Sequence, residues 1–412
     1  MTAPWRTSLI VLLMAVILMH VLKHPLHAMP GASPPSSDYE SRVEKLQSAY
    51  SLFPLNDLIK RELAETYASR GFYLFKSRQY EEAEINFQKA LDLYPDDANY
   101  LLLQGLTSYS LKKYDGARYV LSRLVELKPD SADGWYNLGL AQYDGGSRQD
   151  GLDSWLKALT LAPGRHDIAA AIDKARREMA VEADMDKRYS SRFDLTYDPG
   201  VSTTTARAIL DVLESAANQV GSDLGHYPEA RVPVAIYLRD DYKTVTASPD
   251  WSGGYYDGTI RLPFGTASEI TPQLKAVIFH EYAHVVVYDL TRGNCPVWLN
   301  EGIAEIFGRS QFASDGRRSD TAMPSGVTIN PRSLEGSFGR LSSGQALMAY
   351  QQSYSMVSYI VKTYGWHRVK EILAALGTGK NIETAIAMAL KDYSLTYDGL
   401  IKEWRTSLGQ SP

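Results

Sequence analysis

The chain has 412 residues, with 43 basic and 48 acidic side chains, a formal net charge of −5 and one cysteine. At roughly 150 residues per domain this length suggests two or three domains, and 44% hydrophobic with 22% charged residues is the make-up of a globular protein, which excludes wholesale disorder. A single long apolar run excludes a multi-pass membrane protein; the slightly acidic balance without a Lys/Arg cluster argues against nucleic acid as a partner; and Cys295 alone makes neither an internal disulfide nor a cysteine metal site.

The apolar run, Leu9 to Leu22, follows Arg6 and precedes Lys23, Pro25 and a Pro/Ser/Gly stretch from Pro30 to Ser37. Its length suits the core of a secretory signal better than a full span, although Leu26-His27-Ala28 is a poor cleavage pattern, so residues 1–30 read as a signal peptide or an N-terminal membrane anchor. Either reading places the body of the protein outside the cytoplasm, periplasmic or secreted, with membrane attachment through this segment as one alternative. Residues 31–60 read as a linker with a leading helix over Tyr39 to Leu58.

A fixed period comes next. Gly71, Gly105 and Gly139 are 34 residues apart, and so are Ala83, Ala117 and Gly151, then Ala90, Leu124 and Ala158, then Pro95, Pro129 and Pro163. Small residues recurring in this way sit where two helices cross closely; Tyr67, Leu101 and Trp135 would fill the layer between, and each proline ends a second helix. The pattern resembles the tetratricopeptide repeat, a helix–turn–helix unit, in three copies over about residues 64 to 165. A polar helix from Asp167 to Arg188 would cap the array, giving a repeat domain over residues 61–188. The resemblance implies that the concave groove takes a protein partner.

From Phe193 the pattern is mixed. Phe193 to Tyr197, Val232 to Leu238 and Gly258 to Leu262 read as strands, the last after a Gly253-Gly254 turn, and Thr204 to Val220 reads as an amphipathic helix. Thr271-Pro272 starts a further helix, to about Leu290, which contains His280-Glu281-Tyr282-Ala283-His284. Two histidines four apart on a helix share one face and reach one zinc ion, while the glutamate between them is placed to take a proton from water. A second helix, starting near Pro296, carries Trp298-Leu299-Asn300-Glu301-Gly302 and then Glu305.

HExxH followed by a WLNEG-like helix resembles the gluzincins, the thermolysin and aminopeptidase N type of metallopeptidase. That resemblance implies zinc bound by His280, His284 and Glu301, with Glu305 behind a zinc histidine and Glu281 as general base. Together with WSGGYYDGTIRLP and AYQQSYSMVSYIVKTYGW, these motifs look like the peptidase MA-like domains often joined to tetratricopeptide repeats. The fold expected is an all-α repeat solenoid followed by an α+β metallopeptidase domain over residues 189–408. The resemblance also implies that the strand from Gly258 to Leu262 is an edge that pairs with an extended peptide or protein substrate. No GxMEN-like aminopeptidase signature is present, which favours endopeptidase action. Tyr350, on a later helix, stands where relatives keep a tyrosine for the oxyanion. His226 and His367 show no partner in the sequence.

One reading is a zinc endopeptidase of the cell envelope whose repeats recruit substrate or a partner. The alternative is a repeat-based envelope scaffold with a structural or latent zinc site. A third is a latent protease in which the Gly/Ser/Arg-rich segment from Ser310 to Ser343 covers the cleft.

Overall fold

The structure, a computed structural model, describes residues 36–246, 255–264, 270–312, 328–338 and 341–409. The N-terminal signal-or-anchor segment, the Gly253-Gly254 turn and much of Ser310 to Ser343 lie outside the described residues. No helix among the described residues is long and apolar enough to cross a membrane. The chain divides into two compact units that meet in sequence at Ala180 and Val181.

The first unit is helical throughout: α1 (Ser36–Leu52), α2 (Asp57–Lys76), α3 (Tyr80–Leu93), α4 (Ala98–Ser110), α5 (Tyr114–Leu127), α6 (Ala132–Asp144), α7 (Arg148–Leu161) and α8 (His166–Glu182). Asn56, Asp97 and Ser131 cap α2, α4 and α6, their side-chain oxygens accepting backbone N–H groups of the first turn. The 34-residue period has a steric cause. A Cβ at Gly71, Gly105 or Gly139 would strike Phe87, Leu121 or Trp155, each 16 residues later on the next helix. Small and large residues therefore interlock at each crossing, with Phe87, Leu121 and Trp155 fully buried. Pro95, Pro129 and Pro163 each stand two residues past the end of α3, α5 and α7. Of the residues expected to fill the layer, Tyr67 and Leu101 are buried, whereas Trp135 is half-exposed and donates to the Pro129 carbonyl. The leading helix ends at Leu52, short of the expected Leu58, because Pro54 and the Asn56 cap break the chain there.

The second unit starts with β1 (Asp186–Tyr189) and β2 (Phe193–Tyr197), then α9 (Thr203–Leu224), β3 (Val232–Leu238), α10 (Arg239–Thr246), β4 (Tyr255–Tyr256) and β5 (Ile260–Phe264). Six α-helices among the described residues complete it: α11 (Pro272–Thr291), α12 (Val297–Ser310), α13 (Ser343–Tyr364), α14 (Trp366–Gly377), α15 (Ile382–Ala389) and α16 (Tyr397–Ser407). The sheet order is β1-β2-β3-β5-β4, with β2, β3 and β5 parallel and β1 and β4 antiparallel at the rims. Strand alternation sends Phe193, Leu195, Val234, Ile236, Ile260 and Leu262 into one core with the helices, where Ile209, Leu213, Ile278 and Tyr282 meet them. Ala235 and Tyr237 point the other way, onto Met185, Tyr242 and Val245.

Two expectations need correcting. The capping helix stops at Glu182, and Asp186–Tyr189 pairs with β2, so the boundary expected at 188/189 falls inside a strand. Its polar, largely exposed sequence gave no strand alternation to read. The strand at Gly258 to Leu262 begins two residues later, after Gly258 turns the chain at φ +103°, and it is not the outermost strand. Tyr255 and Tyr256 of β4 pair with Arg261 and Ile260, covering the first part of β5.

Candidate metal centre

Helix α11 is set by a Thr271 cap, whose hydroxyl accepts the Leu274 N–H, and by proline in its first turn. It is buried on most of its circumference. Helix α12 begins just after Pro296 and crosses both α11 and α13 closely. A Cβ at Gly302 would lie 2.4 Å from the Ser353 carbonyl oxygen of α13, and one at Gly308 would lie 3.1 Å from the Ala276 oxygen of α11. Glycine at these two places lets α12 wedge between its neighbours and brings Glu301 to the histidines.

His280 Nε2 and His284 Nε2 are 3.2 Å apart, and Glu301 Oε2 is 3.5 Å from the first and 3.4 Å from the second. Donors bound tetrahedrally at about 2.0–2.1 Å from one zinc ion are separated by about 3.3–3.4 Å, so this triangle fits such an ion without rearrangement. Glu301 Oε2 is buried and makes no well-formed hydrogen bond, an unusual state for a carboxylate oxygen and one that a cation relieves. Among the described residues this is the group of three ligand-type side chains that could hold a metal. The donor set of two imidazoles and one carboxylate is that of catalytic zinc.

Electrostatics bind the triad together. Burial raises the Glu301 carboxyl, but the His284 charge and contacts with both histidines outweigh it and hold the group at about 2. Burial lowers His284, and the Glu301 charge more than compensates, bringing it to about 9. Glu281, between the ligands in sequence, is buried; desolvation raises its carboxyl against the opposing pull of His280 and His284.

The outer contacts orient the rings. Glu305 Oε1 lies 3.5 Å from His280 Nδ1, on the side of the ring away from Glu301. His284 Nδ1 is 3.0 Å from Asn300 Oδ1; with the amide oxygen accepting there, Nε2 keeps its lone pair for a metal. Asn300 was not singled out in the sequence, although its place immediately before Glu301 is the signal that marks it. The charge of Glu301, then burial, then the charges of Glu281 and Glu305 push the Tyr350 phenol well above its usual range. Its ring meets Phe338 edge-on at 5.5 Å. His226, without a partner in the sequence reading, has one in the fold: Nε2 lies 2.8 Å from Asp289 Oδ2, near the end of α11. His367 is exposed.

Comparisons with known proteins agree with this division. The Peptidase MA superfamily profile matches residues 215–410, and tetratricopeptide repeat profiles match residues 64–97 and 105–146. The Hsp70-Hsp90 organizing protein of Triticum aestivum is 29% identical over 120 residues, which is 29% of this chain and 20% of that relative's length. Similar solved structures include the first TPR of Spaghetti (RPAP3) bound to the HSP90 peptide SRMEEVD, at 19% identity and TM-score 0.29, covering 29% of this chain and 95% of that one. MamA is similar at 19% identity and TM-score 0.29, covering 35% of this chain and 80% of its own. The chain thus carries tetratricopeptide repeats followed by a Peptidase MA superfamily domain.

Proposed function

We propose that the protein is a zinc-dependent peptidase, acting as an endopeptidase in the cell envelope, whose repeats recruit a substrate or partner protein. The observation that carries this reading is the donor triangle of His280, His284 and Glu301 with the buried carboxyl of Glu281 beside it. A zinc ion held there supplies a Lewis acid for a peptide carbonyl and lowers the pKa of water to about 7. His280 and His284 offer Nε2, with Nδ1 of His284 held by Asn300. Glu281 takes the proton from the attacking water on its carboxylate and passes it to the departing amine. Burial of Glu281 favours the protonated form, which suits a group that must hold the proton between these two transfers. The Tyr350 hydroxyl, its phenol pushed upward by the charge of Glu301 and by burial, donates to the oxyanion that develops on the carbonyl.

Absence of a GxMEN-like motif supports internal cleavage, and the apolar run from Leu9 to Leu22 supports an extracytoplasmic location, with the run either removed or kept as an anchor. Tetratricopeptide arrays present a concave face to peptides, which supports the recruiting role of the first unit.

Glu281→Gln tests the whole reading. Glutamine is nearly isosteric and accepts a hydrogen bond from water, yet takes no proton. The variant should keep zinc and cut a peptide library roughly 10²–10⁴-fold more slowly. Undiminished cleavage by Glu281→Gln, with zinc bound, would remove Glu281 as the general base, and no cleavage by the zinc-loaded parent would remove the peptidase reading and leave the repeat-scaffold alternative.

A further inference from the structure

We propose that Arg309 is a positioning residue of the metal centre, tying the carboxylate behind His280 to the turn of α13 that carries Tyr350. The proposal rests on the reading of His280, His284 and Glu301 as metal ligands.

Arg309 lies on α12, one turn beyond Glu305 and two beyond Glu301. Its Nε donates to Glu305 Oε2 at 2.6 Å, while the other oxygen of that carboxylate faces His280 Nδ1 at 3.5 Å. Its Nη2 donates to Gln351 Oε1 at 2.8 Å, and its guanidinium carbon lies 4.1 Å from the centre of the Tyr354 ring. Gln351 and Tyr354 belong to the stretch of α13 that begins with Tyr350. One planar group therefore touches α12 and α13 and reaches α11 through Glu305.

The geometry gives this arrangement a purpose. A glutamate side chain has three rotatable bonds, and Glu305 needs one oxygen held toward Nδ1 for the His280 ring to present Nε2 to a metal. Fixing Oε2 with an arginine removes that freedom. The side chains of Arg309 and Glu305 are only 17% and 20% exposed, so solvent competes weakly for either. Guanidinium suits the task because its forked donors engage a carboxylate, an amide and an aromatic face together, whereas an ammonium is a point charge. The opposing view is an ordinary helical ion pair at spacing four, of little worth to stability and of no consequence to the metal.

The two views part in a zinc titration of the full chain against a chromophoric chelator, with the visible spectrum of the cobalt-loaded protein as a second readout. Arg309→Met should weaken zinc roughly 10–100-fold, the range for losing the support of a ligand, and shift the cobalt bands. Arg309→Lys should recover only part of this. Gln351→Leu is the sharper probe, since α13 carries none of the three ligands. It should weaken zinc several-fold alone and add nothing in the Arg309→Met background. Unchanged affinity and cobalt bands in Arg309→Met would overturn the proposal, and so would a Gln351 effect that persists without Arg309. Full zinc occupancy in a parallel Glu301→Ala sample, or no zinc in the parent protein, would instead overturn the metal-centre reading and the proposal with it.

Discussion

Replacing Gly302 by alanine should damage both the fold and the metal centre. The added Cβ would stand 2.4 Å from the Ser353 carbonyl oxygen and from Val357 Cγ2, and 2.8 Å from the Ser353 carbonyl carbon. Nonbonded contact is comfortable only from about 3.5 Å, so α12 must retreat from α13 by about 1 Å. Val357 can turn aside, but the Ser353 carbonyl belongs to the α13 backbone and cannot. Overpacking of this kind costs about 1–3 kcal/mol, and contact with backbone places it at the upper end. Alanine returns about 1 kcal/mol through helix propensity, leaving a loss of about 2 kcal/mol. The same retreat moves Glu301, the preceding residue, off a donor triangle whose edges are 3.2–3.5 Å. Zinc should therefore bind roughly 10–100-fold more weakly. Urea denaturation of the metal-free protein measures the first effect and chelator competition the second. Gly308→Ala, with its nearest contact at 3.1 Å, should be milder, and Gly344→Ala, with nothing within 4 Å, should be harmless. If Gly302→Ala melts and binds zinc like the parent, the close-crossing argument for α12 is wrong.

Further outcomes follow from the same geometry. Glu301→Ala should lose zinc almost completely, while Glu305→Ala should weaken it by roughly 10–100-fold; equal losses by equilibrium dialysis would contradict the division between ligand and support. In the metal-free protein His284 titrates at about 9, so zinc uptake near pH 7 should release a proton, detectable by calorimetry in buffers of different ionisation enthalpy. The apparent affinity should rise as pH approaches 9, and a flat profile over pH 7–8.5 would count against the proton on His284. Because the His284 pKa is raised from 6.5, its stabilisation of the metal-free fold is complete below about pH 6.5 and fades as pH climbs through about 9. The Glu301 pKa is depressed from 4.5, so its stabilisation is complete above about pH 4.5 and fades as pH falls toward about 2. A fragment of residues 36–182 should melt cooperatively as a helical domain, because its buried glycine–aromatic and glycine–leucine contacts are all between neighbouring helices; a disordered circular dichroism spectrum would refute that.

What the sequence disclosed about this molecule was set by short spacings. Four residues on a helix bring His280 and His284 onto one face, and a 34-residue period exposes interlocking helix pairs, so the repeats and the histidine pair were legible in the sequence. The motif's resemblance, rather than spacing, brought Glu301 into the set. Relations between distant elements were not legible. Asn300 meets the ring of His284, and Asp289 meets His226, 63 residues away in sequence. Local pattern is blind to such pairs because it reports which face of an element is buried but not what lies opposite. The rim strands escaped for a related reason. β4 is two residues long and β1 is polar, and neither offers enough alternation to register.

Gln352 stands in for a missing strand partner. It is fully buried in α13, and its amide accepts the Ile329 N–H and donates to the Ile329 carbonyl, both at 2.8 Å. One side chain thus supplies the two bonds a neighbouring strand would offer, and the backbone at Ile329 is pinned to α13. Both bonds rest on a single amide, so Gln352→Leu would forfeit them together, at about 0.5–1.5 kcal/mol each.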